Sequence, residues 1–287
     1  MLNILDLQEG ETMIRPPAVA GMFYEIDPER LKKQIKGCFT RGLGKEKIQE
    51  QSFKACVAPH AGYLYSGPIA AHVYSRIKKA NYIILGSNHH PIGNKYAMGS
   101  GEWKTPLGGV KVNKKVAEQL MKCPLLKNDP ISHQPEHSIE VQLPFLQYRF
   151  GNDFSFVPIA ISNDYPSRDF LEECRILGEA IADVIKKQKD DWIVIASSDF
   201  SHYVPYEYAY QIDKWVIESI VGLDEEEFFS RVQERDVSVC GFGGIAVCMV
   251  AAKKLGSKKG ELLKYATSGD VIGDKNSVVG YGSIIIK

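Results

Sequence analysis

Five of the seven histidines and one of the six cysteines in this chain sit in short polar punctuation beside apolar runs. The stretches are Pro59-His60-Ala61-Gly62-Tyr63, Gly86-Ser87-Asn88-His89-His90, Pro135-Glu136-His137-Ser138, Ser197-Ser198-Asp199-Phe200-Ser201-His202 and Ser238-Val239-Cys240-Gly241. Imidazole and thiolate gathered from distant positions suit a metal ion or an acid/base pair. Cys240 stands just before Gly241, Gly243, Gly244 and an apolar helical run. The positive end of a helix favours the thiolate that metal binding or nucleophilic attack requires. Asp199 and His202, three apart, suit a carboxylate that fixes an imidazole tautomer. Gly62 leaves room beside His60 for close approach of a ligand. Glu136 and Glu140 are spaced to share a helix face. His72 and His133, isolated from these motifs, read as packing residues.

The elements that must position these groups follow from periodicity. Apolar runs at 53–58, 82–85, 154–161, 192–196, 262–267 and 278–286 read as strands. Helical patterns occupy 67–77, 168–186, 206–221, 224–232 and 243–254. Another is begun by Asp27-Pro28, with Leu31, Ile35, Cys38 and Phe39 on its apolar face. Asn113 caps a short helix, and 103–112 reads as a hairpin. A helix at 136–148 must be kinked or interrupted by Pro144. Strands alternating with helices predict an α/β fold, with a mainly parallel or mixed central sheet flanked by helices. In such sheets the strand ends gather at one rim, where ligands bind. Residues 1–13 read as a flexible extension and 14–287 as a single domain.

Composition narrows the function classes. Thirty-five basic residues balance thirty-five acidic ones, so no overall charge draws the chain to nucleic acid. The apolar runs are too short to span a bilayer, and the acidic N-terminus does not read as an export signal. Cysteines without paired spacing then suggest a reduced, cytoplasmic protein.

Together, Ala58-Pro59-His60-Ala61-Gly62-Tyr63, Leu85-Gly86-Ser87-Asn88-His89-His90, Glu136-His137-Ser138-Ile139-Glu140, Ser197 to His202 and Val239-Cys240-Gly241 resemble the ordered motifs of the Memo family. That family includes the AmmeMemoRadiSam system protein B proteins, and the resemblance runs from about Ile14 to the C-terminus. It implies a fold similar to class III extradiol, LigB-like dioxygenases, which use two histidines and a carboxylate on iron. By the resemblance His60, His89 and Cys240 are the metal ligands, Cys240 standing where those dioxygenases carry a carboxylate. Asp199, His202 and His137 line the same pocket as catalytic candidates, and His90 supports. The implied cofactor is iron(II) foremost, with copper or zinc compatible, and the implied activity is metal-dependent redox chemistry on an unidentified small-molecule or peptide ligand. Two other functions compete with it. One is a hydrolase in which Cys240 attacks and His60 or His202 is the base; the other is a non-catalytic partner-binding module. AMMECR-type and radical-SAM proteins are the partners the resemblance suggests.

Overall fold

The computed structural model describes residues 13–44, 48–90 and 92–287. The expected N-terminal extension lies outside the described residues, except for Met13, whose carbonyl accepts from the Glu102 amide at 2.8 Å. No helix among the described residues is long and apolar enough to cross a membrane.

In chain order the first half comprises β1 (Ile14–Arg15), α1 (Pro28–Leu43), β2 (Ala55–Ala58), α2 (Gly67–Tyr74), β3 (Asn81–Ser87), β4 (Tyr96–Met98), β5 (Glu102–Thr105), β6 (Gly108–Lys111), α3 (Lys114–Leu120) and β7 (Lys127–Asn128). A 3-10 turn at Glu140–Gln142 leads into α4 (Leu143–Phe150) and β8 (Phe156–Ile161). The second half comprises α5 (Arg168–Ile185), β9 (Trp192–Ser197), β10 (His202–Val204), α6 (Tyr206–Gly222), α7 (Glu225–Glu234), α8 (Phe242–Lys254), β11 (Gly260–Thr267), α9 (Gly269–Ile272) and β12 (Val278–Ile286).

Local chemistry sets the helix ends. The Asp27 carboxylate accepts from the Arg30 amide, Pro28 opens α1 with its φ already helical, and Gly44 ends it at φ 73°. Asn113, Ser167 and Asp224 cap α3, α5 and α7 in the same way. Pro144 does not interrupt the expected 136–148 helix. It lies in the first turn of α4, where no amide hydrogen is needed, while 136–139 runs as a loop before the 3-10 turn.

The main sheet runs β10-β12-β2-β9-β3-β8-β4-β7, with β11 also on β12. Strands β2, β9, β3 and β8 are mutually parallel, whereas β12 and β4 join them antiparallel, so the sheet is mixed. Alternate residues separate its two faces. Ala55, Val57, Ile83, Leu85, Val194 and Ala196 pack toward α5–α8. Cys56, Ala58, Tyr82, Ile84, Ile193 and Ile195 pack toward α1, α2 and α4. Burial on both faces explains why these strands read as unbroken apolar runs. Helix α8 is apolar all round because it is enclosed between the sheet and α5. A second, three-stranded sheet, β1-β5-β6, packs the Trp103 hairpin onto the second core.

Candidate metal centre

His60, His89 and Asp199 each stand two residues beyond the end of a parallel strand, after β2, β3 and β9 respectively. Cys240 arrives from the opposite direction, two residues before α8. Gly241 makes that approach possible. A β-carbon there would lie 2.6 Å from Ser198 Cβ and 2.9 Å from the Ser197 carbonyl. The side chain of Ser87 donates to the Cys240 carbonyl at 2.8 Å, and Ser138 Oγ to the Ser87 carbonyl at 2.9 Å. These two bonds join strand β3, the 136–139 loop and the α8 approach.

The ligand atoms of His60, His89 and Cys240 lie within 4.8 Å of one another. Cys240 Sγ is 3.2 Å from His60 Nε2 and accepts from the Asp199 amide at 3.2 Å. Ligands around a tetrahedral ion, at bond lengths of 2.0–2.3 Å, stand about 3.3–3.7 Å apart. The three groups therefore need only small side-chain shifts to enclose a cation.

Hydrogen bonds fix which nitrogen of each ring faces the group. Ser197 Oγ donates its one hydrogen to the Ser138 carbonyl at 2.6 Å and accepts from Gln142 Nε2 at 2.7 Å. Gln142 is oriented in turn, because its Nε2 also donates to the Pro59 carbonyl at 3.0 Å and its Oε1 accepts from Tyr74. Ser197 can therefore only accept from His60 Nδ1, at 3.1 Å, leaving the lone pair of Nε2 toward Cys240. Burial and the neighbouring imidazoles of His89 and His137 hold His60 well below the usual histidine pKa, so it is neutral. A neutral imidazole with a free Nε2 is the form a metal takes.

His89 is held by Glu136, a residue whose role the sequence did not reveal. One carboxylate oxygen accepts from the His89 amide at 2.6 Å, and the other from its Nδ1 at 3.0 Å. The amides of His137 and Ser138 add two more donors at 2.8 Å. Burial pushes the Glu136 carboxyl up, but these bonds and the neighbouring histidines outweigh it and hold the group well below the carboxylate range. Burial alone would lower His89, yet its bonds to Cys240 and Glu136 raise it to about 10. A carboxylate–histidine pair of this kind orients a ligand ring and raises its basicity. His89, Glu136 and His137 also form a triad of possible ligands. Glu136 is already saturated by its donors, which places it as a support for His89.

The other expected site residues divide. His137 stacks on His89 at 4.7 Å between centroids and meets His60 edge-on at 5.5 Å, and burial lowers it to about 4. Asp199 is buried, accepts from the His60 amide at 2.8 Å, and has Oδ2 4.0 Å from His60 Nε2. Its burial outweighs the pull of His202 and the His60 amide and raises it to about 6. The expected Asp199–His202 hydrogen bond does not form. His202 opens β10, which turns its Nδ1 onto the Ser238 carbonyl at 2.8 Å, and it faces the same cleft as His89 and Cys240. His90 stands outside the three-residue group, its amide donating to Asn88 Oδ1 at 3.1 Å. The open side of Gly62 faces the Phe23 backbone, 3.5 Å from an added β-carbon.

Glu140 does not share a face with Glu136. It is completely buried and accepts from Arg15, the Ala18 and Val19 amides and the Tyr24 hydroxyl. Arg15 also donates to the carbonyls of Glu136 and of His133, the latter at 2.9 Å, and lies 4.4 Å above the Trp103 ring centre. The N-terminal strand thus clamps the loop that carries Glu136. His133, expected as a packing residue, is buried against Trp103 and bonds to the Ala97 carbonyl.

Residues 15–285 match the family profile described as Memo-like protein. A MEMO1 family protein of Methanopyrus kandleri is 46% identical over 286 residues, covering 96% of this chain and 99% of its own length. One from Saccharolobus solfataricus is 47% identical over 283 residues, covering 94% and 98%. Among solved structures, an uncharacterised protein from Escherichia coli K12 aligns with a TM-score of 0.55 at 12% identity, over 82% of this chain and 100% of that one. That likeness is one of fold alone.

Proposed function

The chain belongs to the Memo-like family, and from that premise we propose that it is a metal-dependent protein, with His60, His89 and Cys240 as ligands and redox chemistry as its activity. The observation that carries this reading is the orientation of the two imidazoles. Each commits Nδ1 to a fixed acceptor, Ser197 or Glu136, and keeps Nε2 for the third residue's sulfur.

Two neutral nitrogens and one sulfur leave coordination positions open, as reactive sites do. With a soft sulfur in place of a carboxylate, iron(II), copper and zinc are all compatible, and redox activity calls for iron or copper. A redox metal held there would supply one-electron chemistry that no side chain of the site can. The chain's own groups supply proton handling. Asp199, raised to about 6, can hold or release a proton near neutrality beside His60. His202 commits Nδ1–H to the Ser238 carbonyl, which leaves Nε2 for a hydrogen bond with a bound molecule. Glu136 and Ser197 keep the ligand rings from turning away.

Metal analysis of protein purified without added metal tests the reading. Stoichiometric iron, copper or zinc is expected in the wild type and is lost in His60→Ala, His89→Ala and Cys240→Ser. Full retention in all three variants would sink the ligand assignment.

A second reading has its own observation. The 3.2 Å approach of Cys240 Sγ to His60 Nε2 is also the geometry of a cysteine nucleophile with its base. It requires that an alkylating probe label Cys240 in metal-free protein faster than any of the other five cysteines. Labelling no faster than at Cys123 eliminates the hydrolase.

A further inference from the structure

A cleft of about 400 Å³ opens beside His89 and Cys240, between the exit of β8 and the α7–α8 connection. A volume of that order accommodates a single-ring small molecule. Its floor is apolar: Val232, Val237, Val239 and Phe242 all line it and are at most 8% exposed. Its walls carry Asp164, Asp236 and Tyr165, and no lysine or arginine lines it among the described residues.

The charges around this opening do not cancel. Lys95 lies 3.9 Å from Asp164 but is shared with Glu173 at 2.7 Å, where the bond is better formed. Arg235, next to Asp236 in the chain, has its Nε 3.4 Å from Glu234. Tyr165 is 58% exposed, and its hydroxyl accepts from Gln233 at 2.8 Å, which holds the ring in place. The imidazolium of His89, which also lines the cleft, is offset by Glu136, so Asp164, Asp236 and an exposed aromatic ring leave the surplus negative charge that recognises an ammonium group. A phosphate or carboxylate would meet repulsion at the same opening.

We propose that this cleft binds a small organic cation with an apolar body. The ammonium sits among Asp164, Asp236 and Tyr165, and the body lies on the valine–phenylalanine floor, directed toward Cys240 and His89. The proposal deepens the metal-site reading by naming a substrate class, but the preference for positive charge needs no metal.

Two probes test it by calorimetry or ligand-observed NMR. Phenethyltrimethylammonium is a permanent cation that cannot coordinate a metal, and phenethyl alcohol is a neutral molecule with the same ring. Both are titrated into zinc-treated and metal-free full-length protein, with bound zinc measured separately. The cation is expected to bind about five- to thirtyfold more tightly, and the preference shrinks at raised salt. It should disappear in Asp164→Asn/Asp236→Asn, two exposed substitutions that leave the core untouched. Equal or weaker binding of the cation, or a preference that survives both substitutions, overturns the proposal. A preference retained when zinc fails to bind rejects the metal reading alone. Zinc bound with no preference rejects only the cleft.

Discussion

Glu136 accepts from both the backbone amide and the ring Nδ1 of His89, a residue 47 positions earlier in the chain. The pairing makes a buried carboxylate the anchor of a partly exposed imidazole ring. Replacing Glu136 with Gln removes the charge and misplaces an amide hydrogen. Metal affinity is then expected to fall about 10- to 100-fold, measured by competition with a chromophoric chelator. Unchanged affinity would mean that His89 is not held for a metal.

The same pair sets a pH dependence in metal-free protein. His89 is raised from its ordinary value near 6.5 to about 10, so its contribution to stability is complete below about pH 6.5. That contribution is lost as pH rises toward about 10. Metal binding must displace this proton, whereas His60 has none to give at Nε2. Calorimetry in buffers of different ionisation enthalpy should therefore show proton release near pH 8 that is smaller in Glu136→Gln. Identical release in the two proteins would contradict the His89 assignment.

Arg15 and Glu140 form a buried pair beneath the Glu136 loop. Arg15→Met leaves Glu140 without its countercharge and is expected to cost about 3–5 kcal/mol in denaturant unfolding. Adding Glu140→Gln removes the stranded charge and should recover part of that loss. A double variant as unstable as the sum of the two singles would show that the residues do not act as a pair.

Asp213 lies under the 199–202 loop, accepting from the Ser201 amide at 3.1 Å, from the Ser201 hydroxyl, and from the Tyr265 hydroxyl at 2.5 Å. Burial outweighs these bonds and raises it to about 6. For a raised carboxyl, the stability present below about pH 4 is lost as pH climbs to about 6. Asp213→Asn should remove that part of the profile, so that wild type gains stability relative to the variant as pH falls through the window. Parallel profiles would place the titration elsewhere.

The parallel strands, the capped helices and the strand-end motifs were legible because each rests on local pattern: unbroken apolar runs, Asp27-Pro28, and punctuation after an apolar segment. Strands β4 and β7, of three and two residues, carry no such period and are defined by their neighbours. The role of Glu136 was hidden for a different reason. Its partners are backbone amides and a ring from another strand, none of which leaves a mark on spacing. Asp199 and His202 show the reverse error. Three residues apart, they suggested a pair, but Tyr203 adopts φ 59° and β10 pairs with β12, which turns His202 toward Ser238. Nearness in the chain predicted contact there, and the backbone prevented it.

Cys240 follows His60 by 180 residues, and β2, which carries His60 at its end, has β12 as one of its two neighbours. During synthesis both histidines therefore emerge long before the sulfur and before the strand that completes their sheet. Until Cys240 has been made, the sulfur that stands 3.2 Å from His60 in the finished fold is missing from the group. The complete group therefore exists only in a chain synthesised past Cys240 whose sheet has been closed by β12, so its geometry is a property of the finished fold.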